Sequence, residues 1–212
     1  MDENKNLTKR YVFACSEKHR RKALEKRIKP EHFRSFIENF GVTNNGNKIN
    51  SNEWKKLKTI LKQSPSLNIV GGVGSGKTFV TKELIKKDKD HIYIVLDAHN
   101  EYTDLPVVNN ITTDLKNNCR IKLPDQPEGA VGMFKVYYNL IMNNTFPSNF
   151  ILVVDEALRY RDFGIKNLMA ESRKFLKVLA ISQEEISKSN VSEDYNLCPI
   201  LYIEPYYKLA KT

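Results

Sequence analysis

The chain has 212 residues, is 41% hydrophobic and 28% charged, and carries a formal net charge of +9. That apolar content excludes a disordered chain, and eight Pro and nine Gly without a triplet period exclude a collagenous one. No apolar run approaches the ~20 residues that span a bilayer, and the opening MDENKNLTKR has no hydrophobic core behind its charges. The expectation is a soluble, intracellular protein without a signal peptide and without stable membrane insertion.

The charge is unevenly placed. Residues 1–66 hold 16 Lys and Arg against 7 Asp and Glu, whereas residues 67–212 hold 18 of each. This asymmetry predicts a basic helical N-terminal region over 1–66 and a neutral catalytic domain over 67–212. A first helix is expected over residues 16–28. A second follows Pro30, with Phe33, Phe36, Ile37 and Phe40 at helical spacing and Gly41 as its stop. Ser51 can cap a third, in which Trp54, Leu57, Ile60 and Leu61 form one stripe while Lys55, Lys56, Lys58 and Lys62 face outward, until Pro65 ends it. The cluster Arg20, Arg21, Lys22, Lys26, Arg27 and Lys29 reads either as a solvated helix face or as a contact for nucleic-acid phosphates. The NNGN turn at 44–47 lacks the carboxylates of a calcium loop. Cys15, Cys119 and Cys198 lie too far apart in sequence for a zinc spacing and read as reduced thiols.

A short apolar strand, Leu67 to Val70, runs straight into Gly71-Gly72-Val73-Gly74-Ser75-Gly76-Lys77-Thr78, and a helical pattern follows. This is G-x-x-x-x-G-K-[ST] with a strand before it and a helix after it. The glycines let the backbone curl around an anion with its N–H groups inward, and the helix start adds its unpaired N–H groups and positive dipole end. Lys77 is expected to bridge β- and γ-phosphate oxygens and the Thr78 hydroxyl to ligate Mg²⁺, so the motif predicts binding of a nucleoside triphosphate with Mg²⁺.

A second strand, His91 to Leu96, ends at Asp97, and a third, Phe150 to Val154, ends in Asp155-Glu156. Apolar runs closed by carboxylates describe buried parallel strands whose C-terminal ends open on the ligand edge of a sheet. Asp155 can hold the Mg²⁺, and Glu156 can polarise a water for attack on the γ-phosphorus; the plainer alternative is that the pair caps the next helix. A further strand from Lys177 ends in Ser182-Gln183. Were it to lie between the phosphate-loop strand and the carboxylate strand, Gln183 would sit beside the γ-phosphate, sensing hydrolysis or orienting water.

Four ordered motifs over roughly residues 67–190 carry a resemblance: GGVGSGKT, the segment Asp97-Ala98-His99-Asn100-Glu101-Tyr102, ILVVDEA, and Ser172-Arg173-Lys174-Phe175 leading into Ser182-Gln183. Together they resemble the HerA–FtsK superfamily of P-loop ATPases, most closely the compact viral genome-packaging members. Leu176, where that family has Gly, and Glu184-Glu185 after Gln183 depart from its pattern. The resemblance implies an α/β fold of the P-loop NTPase (ASCE/RecA-like) kind, a mainly parallel sheet flanked by helices. It also implies a ring, usually hexameric, that hydrolyses ATP to move double-stranded DNA into a preformed capsid, with capsid or portal partners in the host cytoplasm or the virion. Arg173 matches the arginine-finger region, with Arg159 and Arg161 as competitors.

Between these motifs, Cys119 to Leu123 reads as extended, followed by a helix with Val131, Phe134, Tyr138 and Ile141 on one face. No chemistry is legible there. Pro199 to Ile203 reads as a last strand. The alternatives to a packaging motor are a repair or conjugation motor, a small P-loop nucleotide kinase and a nucleotide-gated binding module. A Glu directly after the metal-binding Asp favours water as the acceptor over a second nucleotide.

Overall fold

The structure, a computed structural model, describes residues 8–14, 42–45, 51–64, 66–171, 176–183 and 200–206. In chain order these form β1 (Thr8–Ala14), β2 (Val42–Asn45), α1 (Ser51–Gln63), β3 (Ser66–Val70), α2 (Lys77–Lys87), β4 (Ile92–Asp97) and β5 (Cys119–Lys122). Then come α3 (Pro127–Met142), β6 (Phe150–Val154), a 3₁₀ helix (Ala157–Phe163), α4 (Ile165–Glu171), β7 (Lys177–Ser182) and β8 (Ile200–Tyr206). The expected helices over 16–28 and Phe33 to Phe40, the basic cluster from Arg20 to Lys29, and Arg173 lie outside the described residues.

One sheet runs through the molecule in the order β2-β1-β8-β3-β7-β6-β4-β5. From β8 to β5 every pairing is parallel, while β1 pairs antiparallel with both β8 and β2. The α/β architecture with a mainly parallel sheet is therefore as expected. The N-terminal region differs in part: α1 is the helix that Ser51 announces, but Thr8–Ala14 and Val42–Asn45, inside the stretch expected to be helical, are strands. The Tyr11-Val12-Phe13 run in β1, aromatic and β-branched, favours an extended backbone once β8 offers an edge to pair with.

Alternation along each central strand sends its side chains to two cores. Tyr93, Val95, Ile151, Val153, Leu179 and Ile181 pack on one face with Leu57, Ile60 and Leu61 of α1 and Val80 and Leu84 of α2. Ile94, Leu96, Leu152, Val154, Val178 and Ala180 pack on the other with Phe134 and Ile141 of α3, Tyr160 of the 3₁₀ helix and Leu168 of α4. Burial on both faces is why these strands read as continuous apolar runs. In α3 the buried stripe is Ala130, Phe134, Tyr137 and Ile141, so Tyr137 rather than Tyr138 completes the face expected from spacing. Phe134 stacks on Tyr160 with ring centroids 4.3 Å apart, which seats the 3₁₀ helix against α3.

The turn from α2 into β4 is tied by a buried carboxylate. Asp88 accepts from the Tyr93 hydroxyl at 2.7 Å, from the Asp90 amide at 2.9 Å, and lies 2.8 Å from His91 Nδ1. Burial alone would raise its pKa, but the bonds from Tyr93, Asp90 and His91 outweigh burial and hold it below the ordinary carboxylate value. A depressed folded-state pKa stabilises the protein above the unfolded-state value near 4, and that contribution fades as pH falls through the folded-state value. Asp88→Asn should therefore cost about 1–3 kcal/mol at neutral pH. Melting temperatures measured from pH 7 down to pH 3 should converge for the two proteins at the acid end, and parallel curves would show that Asp88 does not contribute in this way.

Candidate functional site

The loop between β3 and α2 has the shape its glycines require. Gly74 and Gly76 take positive φ values of 71° and 96°, where a Cβ is disfavoured. Gly71 is excluded from carrying a side chain for another reason: a Cβ there would lie 2.4 Å from Ser75 Oγ and 2.6 Å from the Ile203 carbonyl oxygen of β8. Gly76 occupies the N-cap of α2 and no side chain caps that helix start, so its first N–H groups point into the loop. Lys77 Nζ donates to the carbonyls of Gly71 and Gly72 at 2.8 and 3.1 Å, which lays the ammonium back across the same loop. Ser75 Oγ is buried without a hydrogen-bond partner. Val73, the one loop side chain of any size, is 85% exposed and leaves the concavity clear. An uncapped helix start, an ammonium and an unpartnered hydroxyl on one glycine-rich loop suit a phosphate group.

Strand order brings Gln183, Asp155 and Glu156 to the same edge of the sheet as that loop. β7 pairs with β3 on one side and β6 on the other, which is the arrangement that sets Gln183 between the phosphate loop and Asp155-Glu156. The Gly71 amide donates to the Ser182 carbonyl at 3.2 Å, and the Ser182 hydroxyl donates to Asn68 Oδ1 at 3.1 Å, joining the ends of β3 and β7. Gln183 and Glu156 line one cleft of about 460 Å³ together with Leu158, Arg161 and Asp162. Arg161 thus faces the cleft of its own chain; its Nε, and one terminal nitrogen of Arg159, are buried without hydrogen-bond partners.

Asp155 is 4% exposed, and burial, then the charges of Glu101, Glu156 and Asp97, push its pKa up to about 7. Glu156 follows in a left-handed conformation with φ 50°, a strained backbone for a residue with a long side chain. It stands at the N-cap of the 3₁₀ helix, but its side chain makes no capping bond, so capping does not explain this Glu. Its carboxylate lies 3.9 Å from His99 Nε2, with both side chains partly exposed. Thr78 and Asp155 offer the hard oxygen donors that Mg²⁺ prefers, among carboxylates whose crowded charge a divalent cation would relieve. The residues fit that ion.

Three residues without an expected role join this site. Glu101 Oε2 accepts the Thr78 hydroxyl at 2.6 Å. Asp97, fully buried, accepts from the Glu101 and Tyr102 amides at 2.9 and 3.1 Å and from Arg120 Nη1 at 2.8 Å. Arg120, in β5, is itself 8% exposed. An arginine buried in a short strand needs an anionic partner, and Asp97 supplies it.

No family model matches the sequence, and no curated protein matches it. Among solved structures, the Walker-type ATPase of Pyrococcus abyssi matches at 15% identity and a TM-score of 0.40, covering 74% of this chain and 53% of that one. The Drosophila ORC bound to DNA matches at 18% identity and a TM-score of 0.32, covering 66% of this chain and 37% of that one. The chain therefore spans about half the length of the first and little more than a third of the second.

Proposed function

We propose that this chain is a P-loop ATPase that hydrolyses ATP with Mg²⁺ and moves double-stranded DNA, acting as a ring of like subunits that packages a viral genome into a preformed capsid. The observation that carries the nucleotide reading is the meeting of the phosphate loop, Gln183 and Asp155-Glu156 at the ends of β3, β7 and β6, three neighbours in one sheet. The motor and packaging reading is supported by the four ordered motifs and by the basic excess before the loop.

In this reading the loop amides and Lys77 hold the β- and γ-phosphates, exchanging the bonds from Lys77 to Gly71 and Gly72 for bonds to phosphate oxygens. Thr78 and Asp155 would hold Mg²⁺, which supplies charge neutralisation on the phosphates when bound. Glu156 takes a proton from the attacking water, and Gln183 orients that water from the next strand. Arg161 faces the cleft from within its own subunit, and a neighbour's Arg173 is the proposed finger. Double-stranded DNA and further copies of the chain are the proposed partners, with a capsid or portal protein as the docking point. Among the described residues no helix is long and apolar enough to cross a membrane. A repair or conjugation motor is the second reading, which the same motifs support.

Hydrolysis rate per subunit, measured against protein concentration with and without duplex DNA, tests this. A rate that climbs with concentration and rises again with DNA is expected. A rate flat in both would overturn the ring motor while keeping the ATPase, and transfer of the phosphoryl group to a nucleotide would replace it with a kinase.

A further inference from the structure

The Thr78 hydroxyl has one proton and two lone pairs, and a metal ligand must present a lone pair. Where that proton goes decides where the lone pairs face. Here it goes to Glu101, at 2.6 Å, a distance in the range of charge-assisted bonds.

Glu101 is not a loose surface carboxylate that meets Thr78 by chance. Its amide is fixed to Asp97 Oδ1, the next amide to Asp97 Oδ2, and Asp97 in turn to Arg120. Arg120 also donates to Asn100 Oδ1 and to the Leu105 carbonyl. Asn100, directly before Glu101, takes a left-handed conformation with φ 54°, one that Asn tolerates better than most residues. Tyr102, directly after it, is fully buried. The loop leaving β4 is thus anchored on both sides of Glu101, with only the carboxylate reaching out.

We propose that Glu101 is a positioning residue of the cation site: by accepting the Thr78 proton it turns the free lone pairs of that hydroxyl toward the metal, and the Asp97–Arg120 pair holds it there. The inference rests on the nucleotide reading above and adds an element from β4 and β5 to it. Glu101 also adds negative charge beside Asp155, so removing it weakens the site's attraction for a dication by a second route. Glu101→Gln separates the two, because its amide oxygen can still accept the proton while the charge is gone.

The test is equilibrium binding of a fluorescent nonhydrolysable ATP analogue to the full chain, in EDTA and across a Mg²⁺ titration. Glu101→Ala should not weaken analogue binding in EDTA, where one fewer negative charge faces the phosphates, and should raise the Mg²⁺ needed for half-maximal tightening about tenfold, the loss of one hydrogen bond to a charged group. Glu101→Gln should recover most of that shift. In Thr78→Ala, adding Glu101→Ala should produce little further change, since the two residues act as one unit. An unchanged Mg²⁺ midpoint in Glu101→Ala, or full additivity in the double variant, overturns the inference while leaving nucleotide binding intact. A Glu101→Gln midpoint equal to that of Glu101→Ala overturns it too, in favour of charge alone. Failure of the unaltered chain to bind the analogue at all removes the nucleotide reading and this inference together.

Discussion

Glu156→Gln should lower ATP turnover by about two to four orders of magnitude, the usual contribution of a positioned general base, while leaving nucleotide affinity nearly unchanged. The substitution keeps size and shape and removes only the ability to take a proton. Glu156 is suited to a clean test because it is not structural. Its side chain caps nothing, it lies 3.9 Å from Nε2 of the exposed His99, and its left-handed backbone is a cost to the fold. Stability should therefore hold in the variant, whose glutamine keeps the same backbone. Steady-state hydrolysis paired with analogue binding separates the outcomes. A turnover equal to that of the unaltered chain would remove Glu156 from the chemistry and bring back the nucleotide-gated binding module.

Asp97→Ala should have the largest effect on stability, about 3 kcal/mol or more. Two amides lose their acceptor and a buried arginine loses its counter-ion in one step, although Asn100 and the Leu105 carbonyl remain as partners for Arg120. For a chain of this length the melting temperature should fall by roughly 6–12 °C. Removing the charge on both sides, as Asp97→Asn with Arg120→Leu, should recover part of the loss, because an uncompensated buried charge costs more than an absent pair. A fall of under 2 °C in Asp97→Ala would show that the loop is held by other contacts. The loop carries Glu101, so the same variant should also need more Mg²⁺.

What was legible in the sequence was local. GGVGSGKT announces its own backbone, the apolar runs before Asp155 and Gln183 announce buried strands, and the amphipathic stripe of α1 is read from Leu57, Ile60 and Leu61. The position of β7 between β3 and β6 was a conditional expectation, and the pairing register satisfies it. What escaped depends on partners distant in sequence. Thr8–Ala14 becomes a strand because β8 pairs with it; the Tyr11-Val12-Phe13 run permits an extended backbone but does not announce that partner. Arg120 and Asp97 lie 23 residues apart, and the alternation in Cys119 to Lys122 suggests an outward arginine until both faces of the sheet are known to be covered. Tyr137 and Tyr138 are adjacent candidates for one stripe, and a rotation of α3 too small to read from spacing chose the first.

The pairing of Ser182 with Asn68 joins residues 114 positions apart. β3 has no partner from its own half of the chain: both its neighbours, β7 and β8, come from far downstream. Until β7 and then β8 pair with it, the strand that leads into the phosphate loop lacks its flanking ladders. Chains truncated before residue 177, which lack both partner strands, should therefore stay sensitive to proteases at the glycine-rich turn, with or without nucleotide.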